Sequence, residues 1–165
     1  MKWQIIGIVL ILPSILLSGD FGVSAKASMY DPPGDAGPSL MLGAEAGYKL
    51  NKFFDATLSI EWTKYDVNNE TITLIPVLLN GKFHPFSRGN FDPYVGLGAG
   101  YYYKEGGIDV QSTAGGKALA GISWKNKTGN GFMVEISYSI PDFQDFSKGG
   151  FTYSGGITGS LDFGN

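Results

Sequence analysis

Residues 94–103, Tyr-Val-Gly-Leu-Gly-Ala-Gly-Tyr-Tyr-Tyr, alternate strictly between two kinds of side chain. Val95, Leu97, Ala99, Tyr101 and Tyr103 share one parity, and Gly96, Gly98 and Gly100 the other. A strand sends successive side chains to opposite faces, so this segment has one apolar face and one nearly bare face. A soluble sandwich would put its bulk on the crowded inner face. Here the bulky face ends in aromatic rings, as a lipid-facing strand does at a membrane interface. The bare face suits the tight lumen of a narrow barrel.

The pattern recurs seven more times. Phe21–Tyr30 sets Val23, Ala25, Ala27 and Met29 against Ser24, Lys26 and Ser28. Ser39–Leu50 sets Leu40, Leu42, Ala44, Ala46 and Tyr48 against Gly43, Glu45, Gly47 and Lys49. Phe53–Tyr65 sets Phe54, Leu58, Ile60 and Trp62 against Asp55, Thr57, Ser59 and Glu61. In Thr71–His84, Ile75, Val77, Leu79 and Phe83 oppose Leu78, Asn80 and Lys82. Gly116–Lys125, Gly131–Ile140 and Phe151–Phe163 complete the set, with Lys117, Glu135 and Asp162 on their polar faces. Each segment has the length of a tilted membrane strand, roughly 10–14 residues, and none has a helical period. Pro76 removes a ladder donor, so a bulge or a position near the strand's outer end is expected there.

The connections alternate in character. Leu50–Phe53, Phe86–Asp92 and Asn126–Asn130 are compact and polar, whereas Asp31–Pro38, Lys104–Gly115 and Pro141–Gly150 are longer; Asp66–Glu70 is the short exception. Short turns at one end and long loops at the other are the habit of outer-membrane barrels, and an even strand number puts both termini at the turn end.

Composition narrows the classes. The chain has 165 residues, 25 of them Gly, with 14% aromatic and 16% charged residues. Ordinary globular chains carry about 25% charged residues and roughly 7% Gly. A formal charge of −3 argues against nucleic acid as a partner. The absence of cysteine excludes disulfides, thiolate metal sites and a lipoprotein anchor. Residues 1–19 read as a secretory signal, with Lys2 before an apolar stretch too short to span a membrane as a helix. Cleavage is expected near Ser18 or Gly19, with Val23-Ser24-Ala25 as the alternative; residues 20–165 then form one barrel domain.

Charge on the lipid face is costly, about 2–4 kcal/mol for Lys or Arg at the midplane. Lys26, Glu45, Lys49, Asp55, Glu61, Lys82, Lys117 and Glu135 are therefore expected inside, as a lumen charge network that plugs the barrel, with an ion path as the alternative. Trp62, Tyr65, Tyr101, Tyr102, Tyr103, Tyr138, Tyr153, Phe53, Phe83, Phe91 and Phe163 stand near segment ends and are expected in aromatic girdles. His84, the one histidine, falls at a turn. Catalysis would need it beside an external or lipid-side cleft, and one His without Cys makes a poor metal site. No catalytic residue, metal or cofactor is expected.

Leu78-Leu79-Asn80-Gly81-Lys82-Phe83-His84-Pro85-Phe86, a polar turn, then Pro93-Tyr94-Val95-Gly96-Leu97-Gly98-Ala99-Gly100-Tyr101, resembles strands four and five of small eight-stranded outer-membrane proteins (the OmpW, OmpX/Ail and OmpA-barrel relatives). Gly47–Phe54 is similar to one of their periplasmic hairpins, and Gly149–Ile157 to their closing strand. The likeness covers nearly all of residues 21–163. It implies an all-β, eight-stranded antiparallel up-and-down barrel in a bacterial outer membrane. The implied partners are the bilayer, lipopolysaccharide and the barrel-assembly machinery, and a monomer is expected. That machinery reads a terminal aromatic; here Phe163 precedes Gly164 and Asn165. The expected role is non-enzymatic: structural, adhesive, or passage of a small solute. The alternatives are a lipid-modifying barrel enzyme and a secreted lipocalin-like carrier, which would turn its apolar faces inward.

Overall fold

The computed structural model describes residues 21–34, 36–67, 70–86, 90–106 and 111–161. The expected leader, Asp162 and Phe163 lie outside the described residues. Eight strands follow one another: β1 (Phe21–Asp31), β2 (Ser39–Lys49), β3 (Phe54–Val67), β4 (Glu70–Phe83), β5 (Phe91–Glu105), β6 (Thr113–Lys125), β7 (Gly131–Ile140) and β8 (Gly150–Leu161). Each pairs antiparallel with the next, and β8 returns to β1, from Phe21↔Leu161 to Asp31↔Phe151. The sheet is a closed barrel, so the described strands present no open edge.

Closure lengthens the strands beyond what the pattern predicts. β5 begins at Phe91 rather than Tyr94, because Phe91 pairs with Trp124. β6 begins at Thr113 rather than Gly116, because Thr113 pairs with Tyr102. His84 falls just past β4, although its backbone N–H still bonds to Phe53 O at 2.8 Å.

The two faces divide as the alternation predicts. On β5, Val95, Leu97, Ala99, Tyr101 and Tyr103 are exposed outside, and Tyr94 and Tyr102 are buried inside. Leu97 is 72% exposed, whereas Leu78 on the inner face of β4 is 0% exposed. Large apolar side chains crowd the exterior of seven strands, among them Met29, Leu42, Ile60, Leu79, Val134 and Ile157, and β6 exposes alanines. Lys, Glu, Asn, Ser and Thr are buried. This inverts the soluble-protein rule and removes the lipocalin-like alternative, whose apolar faces would point inward.

The glycine face of β5 has a steric cause. A Cβ on Gly98 would meet Asn80 Oδ1 at 2.1 Å, and one on Gly96 would meet Leu119 Cδ1 at 3.0 Å. Interior side chains from β4 and β6 fill the room these residues leave.

Pro76 departs from expectation. It sits within β4, buried and paired in register with Tyr102, and no bulge accommodates it. The β3–β4 pairing runs to Ile60↔Val77 and resumes at Thr63↔Leu74 in the same register. The ladder lapses where the missing N–H would have donated, and register survives on both flanks.

One end of the barrel carries the short turns and the other the long loops. At the turn end, Asn51 Oδ1 accepts bonds from the Phe53 and Phe54 amides, and Asn126 Oδ1 from those of Thr128 and Asn130. Such Asx turns pre-set tight hairpins. At the loop end, residues 141–149 contain a short 3₁₀ turn, Phe146–Lys148, capped by Asp145. Among the described residues no helix is long and apolar enough to cross a membrane.

Candidate functional site

Three regions carry chemistry: the filled lumen, the vestibule above it and the turn end below it. The lumen starts from charges that alternation sends inward. Lys26 Nζ (β1) lies 3.2 Å from Glu45 Oε2 (β2) and 3.0 Å from Glu135 Oε1 (β7). Lys82 Nζ (β4) lies 2.5 Å from Glu45 Oε1 and 3.8 Å from Glu135 Oε2. Tyr94 (β5) donates to Glu135 Oε2 at 3.0 Å, and its ring centroid lies 4.8 Å from Lys82 Nζ. A separate pair joins β6 to β3, with Lys117 Nζ 2.6 Å from Glu61 Oε1.

Three lysines thus meet three glutamates, and the layer is neutral when all are charged. Burial of a lone charge would cost several kcal/mol, and these contacts offset it only because every charge has a partner within reach. Asn80 extends the layer, donating to Thr57 Oγ1 at 3.3 Å and Ser59 Oγ at 3.1 Å.

Toward the loops the lumen turns apolar. Tyr30, Met41, Leu74, Leu78 and Tyr102 form one buried cluster, with Tyr65 packed against it. Tyr102 Oη donates to Gly116 O at 2.7 Å, which satisfies the one polar group of a fully buried ring. This placement corrects the girdle expectation for Tyr102 and Tyr65: both are interior. Parity already separates Tyr102 from Tyr101 and Tyr103.

Above this plug opens a vestibule of about 760 Å³. Tyr30 and Tyr65 form its floor, their rings edge to face at 5.8 Å. Phe143, Lys104, Lys148 and Gln144 stand among its walls. Lys104 Nζ donates to Thr113 Oγ1 at 3.2 Å, and Lys148 Nζ pairs with Asp145 Oδ2 at 3.2 Å on the surface. Hydrogen bonds from Ser147 and the Lys148 charge hold the Asp145 carboxyl below its usual range.

The turn end holds a third cluster that sequence reasoning missed. His84 is buried, with Nδ1 2.8 Å from Asp92 Oδ1 and Nε2 3.1 Å from Asp55 Oδ2. Lys125 Nζ lies 3.4 Å from Asp92 Oδ2. Of the eight expected lumen charges, Lys49 and Asp55 sit here rather than in the central layer, as cross-strand neighbours beside a cavity of about 70 Å³. Parity places Asp92 and Tyr94 inward with Gly96; their meeting with His84 and Glu135 depends on register across several strands. Among the described residues no group of three or more His, Cys, Asp or Glu could hold a metal ion.

The outer surface carries two aromatic belts. Near the turns, Phe54 packs on Phe83 at 5.1 Å between ring centroids, and Trp124 on Phe91 at 5.7 Å and on Phe132 at 5.0 Å. Near the loops, Tyr101 packs on Tyr103 at 4.8 Å and Tyr138 on Phe151 at 4.9 Å, while Trp62 is exposed with Lys64 Nζ 5.6 Å above its ring.

No protein-family profile matches the chain, nor does any curated protein sequence. Solved structures do. Neisserial surface protein A (NspA) is 14% identical with a TM-score of 0.70; the match covers 87% of this chain and 100% of that one. Ail, the attachment invasion locus protein of Yersinia pestis, solved with the heparin analogue sucrose octasulfate, is 14% identical with a TM-score of 0.63, covering 87% and 99%. The outer membrane enzyme PagL is 14% identical with a TM-score of 0.53, covering 85% and 99%. Two of these three are named for attachment or surface display and the third for catalysis, so the likeness carries architecture and not activity: the chain has the eight-stranded barrel of small outer-membrane proteins.

Proposed function

We propose that this chain is a resident of a bacterial outer membrane, a plugged and non-enzymatic barrel with a structural or adhesive role exercised at its loop end. One observation carries the reading. The exterior is an apolar band between two aromatic belts, while the buried lysines and glutamates are turned inward. A closed barrel satisfies its backbone internally, as lipid requires.

The filled lumen supports a role outside the pore class. An eight-stranded barrel is just wide enough for side chains to fill, and here an ion-pair layer and a Tyr–Leu–Met cluster occupy it in succession. The histidine supports a role outside the enzyme class. It is buried between two aspartates at the turn end, away from the vestibule where an external substrate would enter. That leaves the vestibule and the loops around it as the surface that meets ligands or other cells.

Fractionation and electrophoresis test location: the protein should require detergent for extraction and change mobility on heating. A protein released in the soluble periplasmic fraction would end the reading. Planar-bilayer recording tests the plug, and a quiet bilayer is expected. Alanine at Lys104, Phe143 and Lys148 should abolish any surface attachment that expressing cells show, with assembly intact.

A further inference from the structure

The His84 cluster serves neither the plug nor the vestibule, yet it is the most tightly specified polar site at the turn end. Its imidazole reaches Asp55 on β3 with one nitrogen and Asp92 on β5 with the other, at 3.1 and 2.8 Å. Its own backbone joins β4 to Phe53 O. Nδ1 is hydrogen-bonded to Asp92, whereas Nε2 meets Asp55 as a charge contact without hydrogen-bond alignment, so only the protonated ring is held to both carboxylates and the neutral ring keeps at most the Asp92 bond.

We propose that His84 is a proton-operated clasp, whose imidazolium ties β3 to β5 beneath the lumen and whose deprotonation loosens the turn end. The charged and titratable groups around it come from every neighbouring strand: Glu45 and Lys49 on β2, Asp55 on β3, Lys82 on β4, Asp92 and Tyr94 on β5, and Lys125 on β6. Lys125 also serves Asp92, at 3.4 Å, so a neutral ring weakens the link between strands more than it strands that carboxylate.

The small cavity gives the clasp a consequence. Its walls include Ser24, Thr57, Ser123 and Ser160 together with His84, Glu45 and Lys82, and Ser24 Oγ has no partner. A polar space of this size accepts water. Opening the clasp would widen its mouth at the turn end and bring more water against the lower ion pairs. Burial alone would lower the proton affinity of His84, but the adjacent carboxylates of Asp55 and Asp92 outweigh it and raise the pKa above the ordinary value. A raised folded-state pKa means that the clasp's stabilisation is complete below the unfolded value and disappears as pH rises through the folded one.

The test uses the full barrel in phospholipid nanodiscs, with imidazole ¹⁵N shifts and amide exchange corrected for intrinsic rates at each pH. His84 should titrate above the ordinary histidine value of about 6.5. Over the same pH range, protection of the His84 and Lys125 amides, bonded to Phe53 O and Asn90 O, should fall about tenfold. The Asn126 amide, bonded to Asn130 O in another turn, should hold steady. His84→Gln should erase the step. A step that persists in His84→Gln overturns the proposal, and so does a wild-type titration that leaves protection unchanged. Should the variant fail to fold, coincidence or separation of the two wild-type curves still decides.

Discussion

The carboxamide of Asn80 occupies the space that a side chain on Gly98 would need: a Cβ there would lie 2.1 Å from Asn80 Oδ1. The bare face of β5 and the crowded face of β4 are therefore one feature. Gly98→Ala should destabilise the barrel by about 1–3 kcal/mol, the usual cost of overpacking. Urea titration of the protein folded in vesicles measures it. Gly155→Ala is the control, because a Cβ there meets nothing within 4 Å.

Leu97 and Gly98 are neighbours on opposite sides of the wall. Leu97→Arg should cost about 2–4 kcal/mol in a bilayer if the position lies near the midplane. Spin labels at the two positions offer an independent check, with collisional contact with lipid expected at 97 and shielding at 98. The reverse result would invert the assignment of faces.

Lys117 and Glu61 form a pair separate from the larger network, which suits a double-mutant cycle. Lys117→Met alone leaves a buried carboxylate and should cost about 3–5 kcal/mol. Adding Glu61→Leu should recover much of that loss, since the apolar replacement removes the stranded charge. Additive losses would mean that the pair is not coupled.

Adjacent tyrosines on β5 should respond differently to loss of a hydroxyl. Tyr102→Phe removes a buried bond to Gly116 O and should cost about 1 kcal/mol. Tyr101→Phe removes an exposed bond to Ser112 O and should cost less than about 0.5 kcal/mol. Equal costs would contradict the inside–outside placement.

Strand number and facing were legible because a wall with lipid on one side and packed polar groups on the other enforces period two at each residue. Val95–Tyr103 and Phe132–Tyr138 display it without interruption. Nearness to a segment end suggests a girdle place for Tyr102, but its parity, shared with Gly98 and Gly100, sends it inward. Pro76 differs in kind: sequence records the missing donor but not the ladder's ability to skip a step in register. The His84 cluster was illegible in kind. Asp55 and Asp92 reach the ring, and Lys125 reaches Asp92, from three strands, and only the stagger of closure sets their heights. Lys26 and Glu135 likewise meet across 109 positions of sequence.

The seam between β1 and β8 imposes an order on assembly. Phe21 finds Leu161 only after almost the entire described chain is available, so the last hydrogen-bonded ladder is also the most non-local one. Contacts of such separation fold slowly, because loop-closure entropy must be overcome before they form. A nascent molecule lacking β8 would expose two unpaired rims, each a template for another copy. Its principal hazard is therefore a temporal one, confined to the interval before the ring shuts.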